Sequence, residues 1–310
     1  MRTGLRARRL GDPAFRLLSL TFALSVLAVA ALIGIVLVRD SAPARAAFGW
    51  PFLWMSVWDP VALRFGALPF VYGTIATTAI ALAIALPFGL GAAICLAELV
   101  PPRLADTFAF LIELLVAVPS VVYGLVGVFV LVPVMRNIEQ VVVPVFGFIP
   151  VFAGPAYGIG LLTAGVLLAV MIVPFITAVS REVLLAVPQT QRDAALALGA
   201  TRWETVRDVV LPYARSGIVG SVFLALARAL GETMAVTMVI GNNPRVSLSL
   251  FAPQYTMAAV IANEFTEAAD PLYLAALVEI GLVLFVITLI VNGIARLLIA
   301  TVRAPKMARA

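Results

Sequence analysis

An all-α polytopic membrane protein with six transmembrane helices is the fold class this sequence predicts, and three observations predict it. The 310 residues are 63% hydrophobic and 12% charged, with a mean hydropathy of +1.11, more apolar surface than a soluble domain of this size needs. Six apolar runs reach the roughly 20 residues that an α-helical crossing requires. The segments between them are short and hold most of the charge. There is no His, and the one Cys, Cys95, stands in an apolar run as a small packing residue. A zinc site, a disulfide framework and a Cys–His nucleophile within the chain are thereby excluded. The net charge of +5 is placed by topology and carries no implication of nucleic acid.

Residues 1–16 form an Arg-rich tail, and Leu17–Val38 is the first span. That run exceeds the roughly 7–15 residues of a signal-peptide core, so it is read as retained despite the Ala44-Arg45-Ala46 cleavage-like triplet. Arg39–Gly66 is an outer loop in which Trp50, Trp54 and Trp58 recur at i, i+4 and i+8, as on one face of a short interfacial helix. A permease domain over 67–298 follows. Its spans are expected at Ala67–Leu96, Thr107–Val132 (interrupted by Pro119), Tyr157–Val179, Ser216–Ile240 and Tyr273–Leu298. Arg136–Pro155 and Asn242–Pro271 are read as outer loops, the second polar enough to face water or a partner. Glu113 is placed near the inner end of the third span. Residues 299–310 form a basic tail.

With both tails inside, the inner segments hold fifteen Lys and Arg and the outer ones five, the asymmetry the positive-inside rule demands. One basic residue is left over. Arg228 lies mid-way along the fifth span, where a charge costs about 2.5–3.5 kcal/mol on insertion scales. Glu232 follows four residues later, on the same helical face. The pair reads either as a structural ion pair or as a gate on an anion path, since Arg forks two N–H bonds onto oxyanion oxygens. Glu279 and Asn292 in the sixth span read as helix-packing polar groups.

Between the fourth and fifth spans, residues 181–213 form a polar island with its own punctuation. Pro188 suits a first helical turn, Gly199 a left-handed stop, and Thr201 with Glu204 a capping box. Pro212 ends the second helix near Leu211. Asp193, Ala194, Ala195 and Leu198 lie together on the first helix. The result is a short helix–turn–helix, read either as an ordinary loop or as a knob for a partner protein.

The spacing of Asp193-Ala194-Ala195, three residues, Gly199, nine residues, then Val209-Val210-Leu211-Pro212 resembles the EAA loop of ABC importer permeases. Asp193 stands where that family has Glu, and Val209 where it has Ile. The resemblance implies a type I ABC importer permease fold, with Asp193, Ala194, Ala195, Gly199, Leu211 and Pro212 in a cytoplasmic coupling helix that docks on an ATP-binding subunit. The run from Arg228 to Asn242, with Gly231-Glu232-Thr233 and the continuation Met234-Ala235-Val236-Thr237, is similar to the fifth-span signature of phosphate importer permeases of the PstC type. That implies a prokaryotic cell membrane, a PstA-like second permease, two PstB-like ATP-binding subunits and an external phosphate-binding protein. Arg228 and Glu232 are carried over as residues of the phosphate path. ATP and Mg are expected only in the partner ATPase, because the chain has no GxxxxGK[ST] loop. A permease for another oxyanion or small solute would share the loop without the signature. A secondary transporter would show inverted halves, which the sequence lacks. An intramembrane enzyme would need a catalytic cluster inside the spans, and there is none.

Overall fold

The computed structural model describes residues 4–302. Helix α1 (Gly4–Asp40) turns at Ser41 into α2 (Ala42–Phe48), and a 3-10 turn at Trp50–Leu53 leads on to α3 (Leu68–Ile94). A π turn, Cys95–Leu99, closes that span. Extended Val118 and Pro119 separate α4 (Pro102–Ala117) from α5 (Ser120–Val126), which continues through a second π turn into α6 (Val132–Phe146). Helix α7 (Leu161–Leu185) is followed by α8 (Gln189–Ala197) and α9 (Arg202–Thr205). A third π turn, Val206–Val210, joins α9 to α10 (Leu211–Leu230). Helices α11 (Met234–Ile240), α12 (Met257–Glu264) and α13 (Pro271–Val302) complete the order.

Among the described residues, six helices are long and apolar enough to cross a membrane: Phe15–Asp40, Leu68–Leu99, Ser120–Phe146, Leu161–Leu185, Arg202–Leu230 and Pro271–Thr301. The terminal helices run into both expected tails; of these, residues 1–3 and 303–310 lie outside the described part.

Helix α7 is the hub, packed against α3, α4, α10 and α11. Small residues bring α3 and α7 together: Gly89 faces Ile176, Gly165 faces Ile80, and Ala81, Ala85, Ala164 and Ala169 are buried. In lipid no hydrophobic force separates helix from solvent, so close backbone approach and polar contacts drive association. Thr177 Oγ1 donates to the Gly89 carbonyl at 3.2 Å, and the Ser180 and Ser221 hydroxyls bond at 2.7 Å between α7 and α10. Helix α1 stands apart and leans on α13, with Gly34 against Phe285.

The chain after α11 caps the start of α7. The Leu161 and Leu162 N–H groups donate to the Ala252 and Leu250 carbonyls, and the Gly160 N–H to that of Val239. These are the N-terminal donors a helix leaves without internal partners. The expected outer loop 242–271 therefore folds inward and contains α12, whose first residues Met257–Val260 are buried. Glu264, expected to face water, accepts from Trp58 Nε1 at 2.8 Å and from the Tyr273 hydroxyl at 2.6 Å. Burial pushes the nearby Tyr255 phenol well above its ordinary pKa.

Four further expectations are corrected. The tryptophans share no helix: Gly49, at φ +58°, redirects the chain, Trp50 opens the 3-10 turn, and Trp58 lies beyond it, edge-on to Phe65 and Phe70. Helical structure continues past Val132 to Phe146. Arg136 and Glu139 read as loop residues, but they hold the following segment: Arg136 Nε donates to the Tyr157 carbonyl at 3.1 Å, and the buried Glu139 accepts from the Gly158 N–H at 2.6 Å. Cys95 is exposed in its π turn, not packed. Asn292 is exposed as well.

Candidate functional site

The polar loop folds much as its punctuation predicts. Pro188 sits at the N-cap of α8 (φ −58°, ψ 136°), one position before the helix. At its other end the Ala200 N–H reaches back to the Ala195 carbonyl, and Gly199 takes φ +90°. That left-handed geometry favours Gly. Thr201 and Glu204 complete both halves of the capping box. Pro212 does not end the helix. The Leu211 N–H bonds the Val206 carbonyl five residues back, and this wide π turn accommodates the proline. A single helical rod thus runs from Arg202 to Leu230.

The exposed side of this unit is apolar at its tip. Leu198 is 90% exposed and Trp203 59%; Asp193, Ala194 and Gly199 are exposed beside them. Ala195 is buried. Val210 is buried with Ala93, Leu184, Val187 and Ala214, and Leu211 packs on that cluster, so these residues form the base that seats the knob. Pro212 is exposed.

Two tethers escaped the sequence reading because their partners are far apart in the chain. Arg192 Nη2 meets Glu98 Oε1 at 2.8 Å, with both side chains about nine-tenths buried. The same guanidinium donates to the Leu184 carbonyl at 2.8 Å, in the last turn of α7, and to the Val187 carbonyl just beyond it. Arg181 Nη2 meets Asp106 Oδ1 at 3.0 Å. The loop is thereby tied to the end of the second span and to the start of α4.

The fifth span is broken where the signature lies. Helix α10 stops at Leu230, and Gly231, a poor helix former, precedes a Thr233 hydroxyl that bonds the Gly231 carbonyl at 3.2 Å. The expected i, i+4 pair therefore does not form. Glu232 lies in the break and accepts from the Ala235 N–H at 3.2 Å, capping α11. Arg228, half-buried at the last turn of α10, has its guanidinium 5.9 Å from the centre of the Phe175 ring. Its Nε is buried without a hydrogen bond, and among the described residues it forms no ion pair. Tyr123 of α5 lies near enough to feel the Arg228 charge, and its hydroxyl spans the α4–α5 break to the Leu115 carbonyl at 2.9 Å. Gly124 of α5 faces Ala235 and Met238 of α11. Two interrupted helices thus meet beside an unpaired cation, the kind of irregular backbone that membrane proteins tolerate where it is enclosed by protein or lines a cavity.

Comparison with known proteins covers both features. Residues 85–304 match the family described as "Binding-protein-dependent transport system inner membrane component". The chain is 47% identical over 305 residues to a Mesorhizobium japonicum protein named "Phosphate transport system permease protein PstC", covering 97% of this chain and 93% of that one. Proteins of the same name from Pasteurella multocida and Haemophilus influenzae are 46% and 45% identical; they cover 92% and 94% of this chain, and 90% and 94% of their own lengths are matched. Among solved structures, a chain of the MetNI methionine ABC transporter in an inward-facing conformation superposes with a TM-score of 0.57 at 18% identity, over 80% of this chain and all of that one. At that identity the likeness speaks to the fold alone, and the fold is that of a type I importer permease.

Proposed function

The chain belongs to the family of binding-protein-dependent transport system inner membrane components, and from that premise we propose that it is one of two permeases of an ATP-driven inorganic phosphate importer. Support comes first from identity near one half, over nearly the whole length, to permeases named for phosphate transport. The observation that carries the site is Arg228: a half-buried cation at a helix break, with no carboxylate partner among the described residues. A guanidinium so placed offers a fork of N–H donors to an oxyanion. Glu232, engaged by α11, stands close enough in sequence to trade places with the anion as the break rearranges.

The knob at Asp193–Gly199 is the docking element for an ATP-binding subunit, on the cytoplasmic face with both termini. Leu211 and Pro212 join it to the span. Closure of two such ATPases around ATP and Mg moves the knob, and the tethers carry that motion into the bundle. An external phosphate-binding protein delivers the anion from the opposite side, and a PstA-like permease completes the path. Hydrolysis belongs to the partners, and the chain's own part is transport.

The test is radiolabelled phosphate uptake in cells lacking their own phosphate permeases, supplied with the complete complex. Uptake with the wild-type chain, lost with Arg228→Gln despite co-purification of every subunit, is the expected result. Uptake retained in that variant removes Arg228 from the path. No uptake by an assembled wild-type complex, with uptake of another oxyanion, overturns the phosphate reading.

A further inference from the structure

We propose that the groove between α2, the 3-10 turn, α3 and α13 is a binding site for one phosphatidylethanolamine molecule. The groove measures about 780 Å³, within the roughly 300–1,000 Å³ typical of small-molecule sites. Its two charged residues have opposite signs, Arg45 and Glu279. They feel one another's charge but form no ion pair. Glu279 is only 5% exposed, and its Oε2 is buried without a hydrogen-bond partner. A buried carboxylate oxygen without a donor is destabilising, so a donor in the groove is chemically demanded. Arg45 is anchored by Nε to the Ser41 hydroxyl at 3.2 Å and by Nη2 to the Val38 carbonyl. Its remaining nitrogen, Nη1, makes no hydrogen bond among the described residues.

One headgroup answers both charges. The ammonium of phosphatidylethanolamine donates N–H bonds to Glu279, and its neighbouring phosphate accepts from Arg45. The rest of the groove fits the rest of the lipid. Leu282, Val283, Val286 and Ile287 line it at i+3, i+4, i+7 and i+8 from Glu279, so a continuous apolar stripe runs down one face of α13 from the carboxylate. Depth agrees as well. The 32 residues of α13 make a rod of about 48 Å, some 18 Å longer than a roughly 30 Å hydrocarbon core. Centred there, Glu279, about 12 Å along from Pro271, lies about 3 Å inside the boundary. The headgroup then sits at the interface, level with Trp50 and Trp54, residues suited to that depth, and an acyl chain follows the stripe toward the bilayer centre. This site is independent of the phosphate reading.

The experiment reconstitutes the complete complex into nanodiscs of equal parts phosphatidylethanolamine, phosphatidylcholine and phosphatidylglycerol, then reads retained lipid by native mass spectrometry. The wild-type chain is expected to keep phosphatidylethanolamine several-fold over phosphatidylcholine, whose quaternary ammonium has no N–H to give. Glu279→Gln abolishes that preference. Val283→Trp, which fills the groove and leaves both charges, lowers retention of the same lipid. Equal retention of the two zwitterionic lipids by wild type, or a preference for phosphatidylglycerol, overturns the proposal. So does a crosslink from Trp54→Cys to the partner permease, which would put protein in the groove. If Glu279→Gln does not assemble, the wild-type headgroup preference and Val283→Trp still decide.

Discussion

Replacing Arg192 with Met should release α8 from the bundle without unfolding the rest. Met keeps the aliphatic stem and removes the charge. Three acceptors lose the guanidinium: the Glu98 carboxylate and the Leu184 and Val187 carbonyls, of which Leu184 keeps the Val187 N–H. Glu98 is only 10% exposed at its side chain, and breaking a buried pair from one side costs about 3–5 kcal/mol. The site lies at an end of the bundle where water can enter, which favours the lower part of that range. At 1.4 kcal/mol per tenfold, about 3 kcal/mol is a loss of protection of roughly a hundredfold. Amide hydrogen exchange of residues 193–198 in nanodiscs measures it directly, because exchange reports local opening. Glu98→Gln, which keeps an acceptor for the guanidinium, should cost less, about 1–3 kcal/mol. The double variant should show a coupling of about 0.5–3 kcal/mol. Exchange within twofold of wild type in Arg192→Met would refute the tether, as would a loss spread evenly over α13.

Three other outcomes follow from the same geometry. Leu198→Asp changes a 90% exposed residue, so thermal stability should move by no more than about 0.5 kcal/mol, while co-purification of the ATP-binding subunit and substrate-stimulated ATP hydrolysis fall sharply. Gly73→Ala places a Cβ 2.2 Å from the Tyr255 carbonyl oxygen, and because backbone cannot swing aside, detergent melting should show a loss of about 1–3 kcal/mol. Trp58→Phe keeps an aromatic ring against Phe65 and Phe70 but removes one of the two donors to Glu264; the same assay should show a cost of about 1–3 kcal/mol, and Trp58→Leu should cost more.

What the sequence made legible was what short-range chemistry decides. Apolar runs located four of the spans closely because each must satisfy its own backbone in lipid, whereas the third, expected at Thr107–Val132, runs Ser120–Phe146 and the fifth, expected at Ser216–Ile240, runs Arg202–Leu230. Thr201, Glu204 and Gly199 located the loop's turn because capping is a contact between residues three or four apart. The Arg228–Glu232 reading failed for a related reason. It assumed an unbroken helix, and Gly231 followed by a hydroxyl that competes for the backbone gave only a weak hint of the break. Arg136 and Glu139 misled in the other direction: they fell in a stretch whose prolines and glycines read as an outer loop, yet they lie on a helix and hold residues 157–158. Glu98 with Arg192 was invisible for want of any local rule linking residues 94 apart. The one available signal was a Glu directly after an apolar run, which in lipid calls for a partner.

The two tethers and two of the π turns together imply how a displacement of the knob would travel. Arg192 fixes α8 to Glu98, inside the Cys95–Leu99 π turn that ends the second span. Arg181 fixes the end of α7 to Asp106 on α4. A push on α8 therefore reaches the second span and α4 through charged contacts of 2.8 and 3.0 Å, whereas it reaches α10 through the Val206–Val210 π turn. A π turn has looser bonding than the α-helix on either side, so that junction yields while the tethered helices follow. The hub α7 is locked to α10 higher up by Ser180 and Ser221, and Arg228 lies two turns beyond Ser221 on the same rod. Bending at Val206–Val210 would then rotate the upper rod about the serine contact and carry Arg228 across Phe175. Loosening the serine contact with Ser221→Ala should uncouple the two ends: α8 exchange stays as in wild type, while ATP hydrolysis no longer depends on phosphate. Unchanged phosphate dependence in that variant would move the pivot elsewhere.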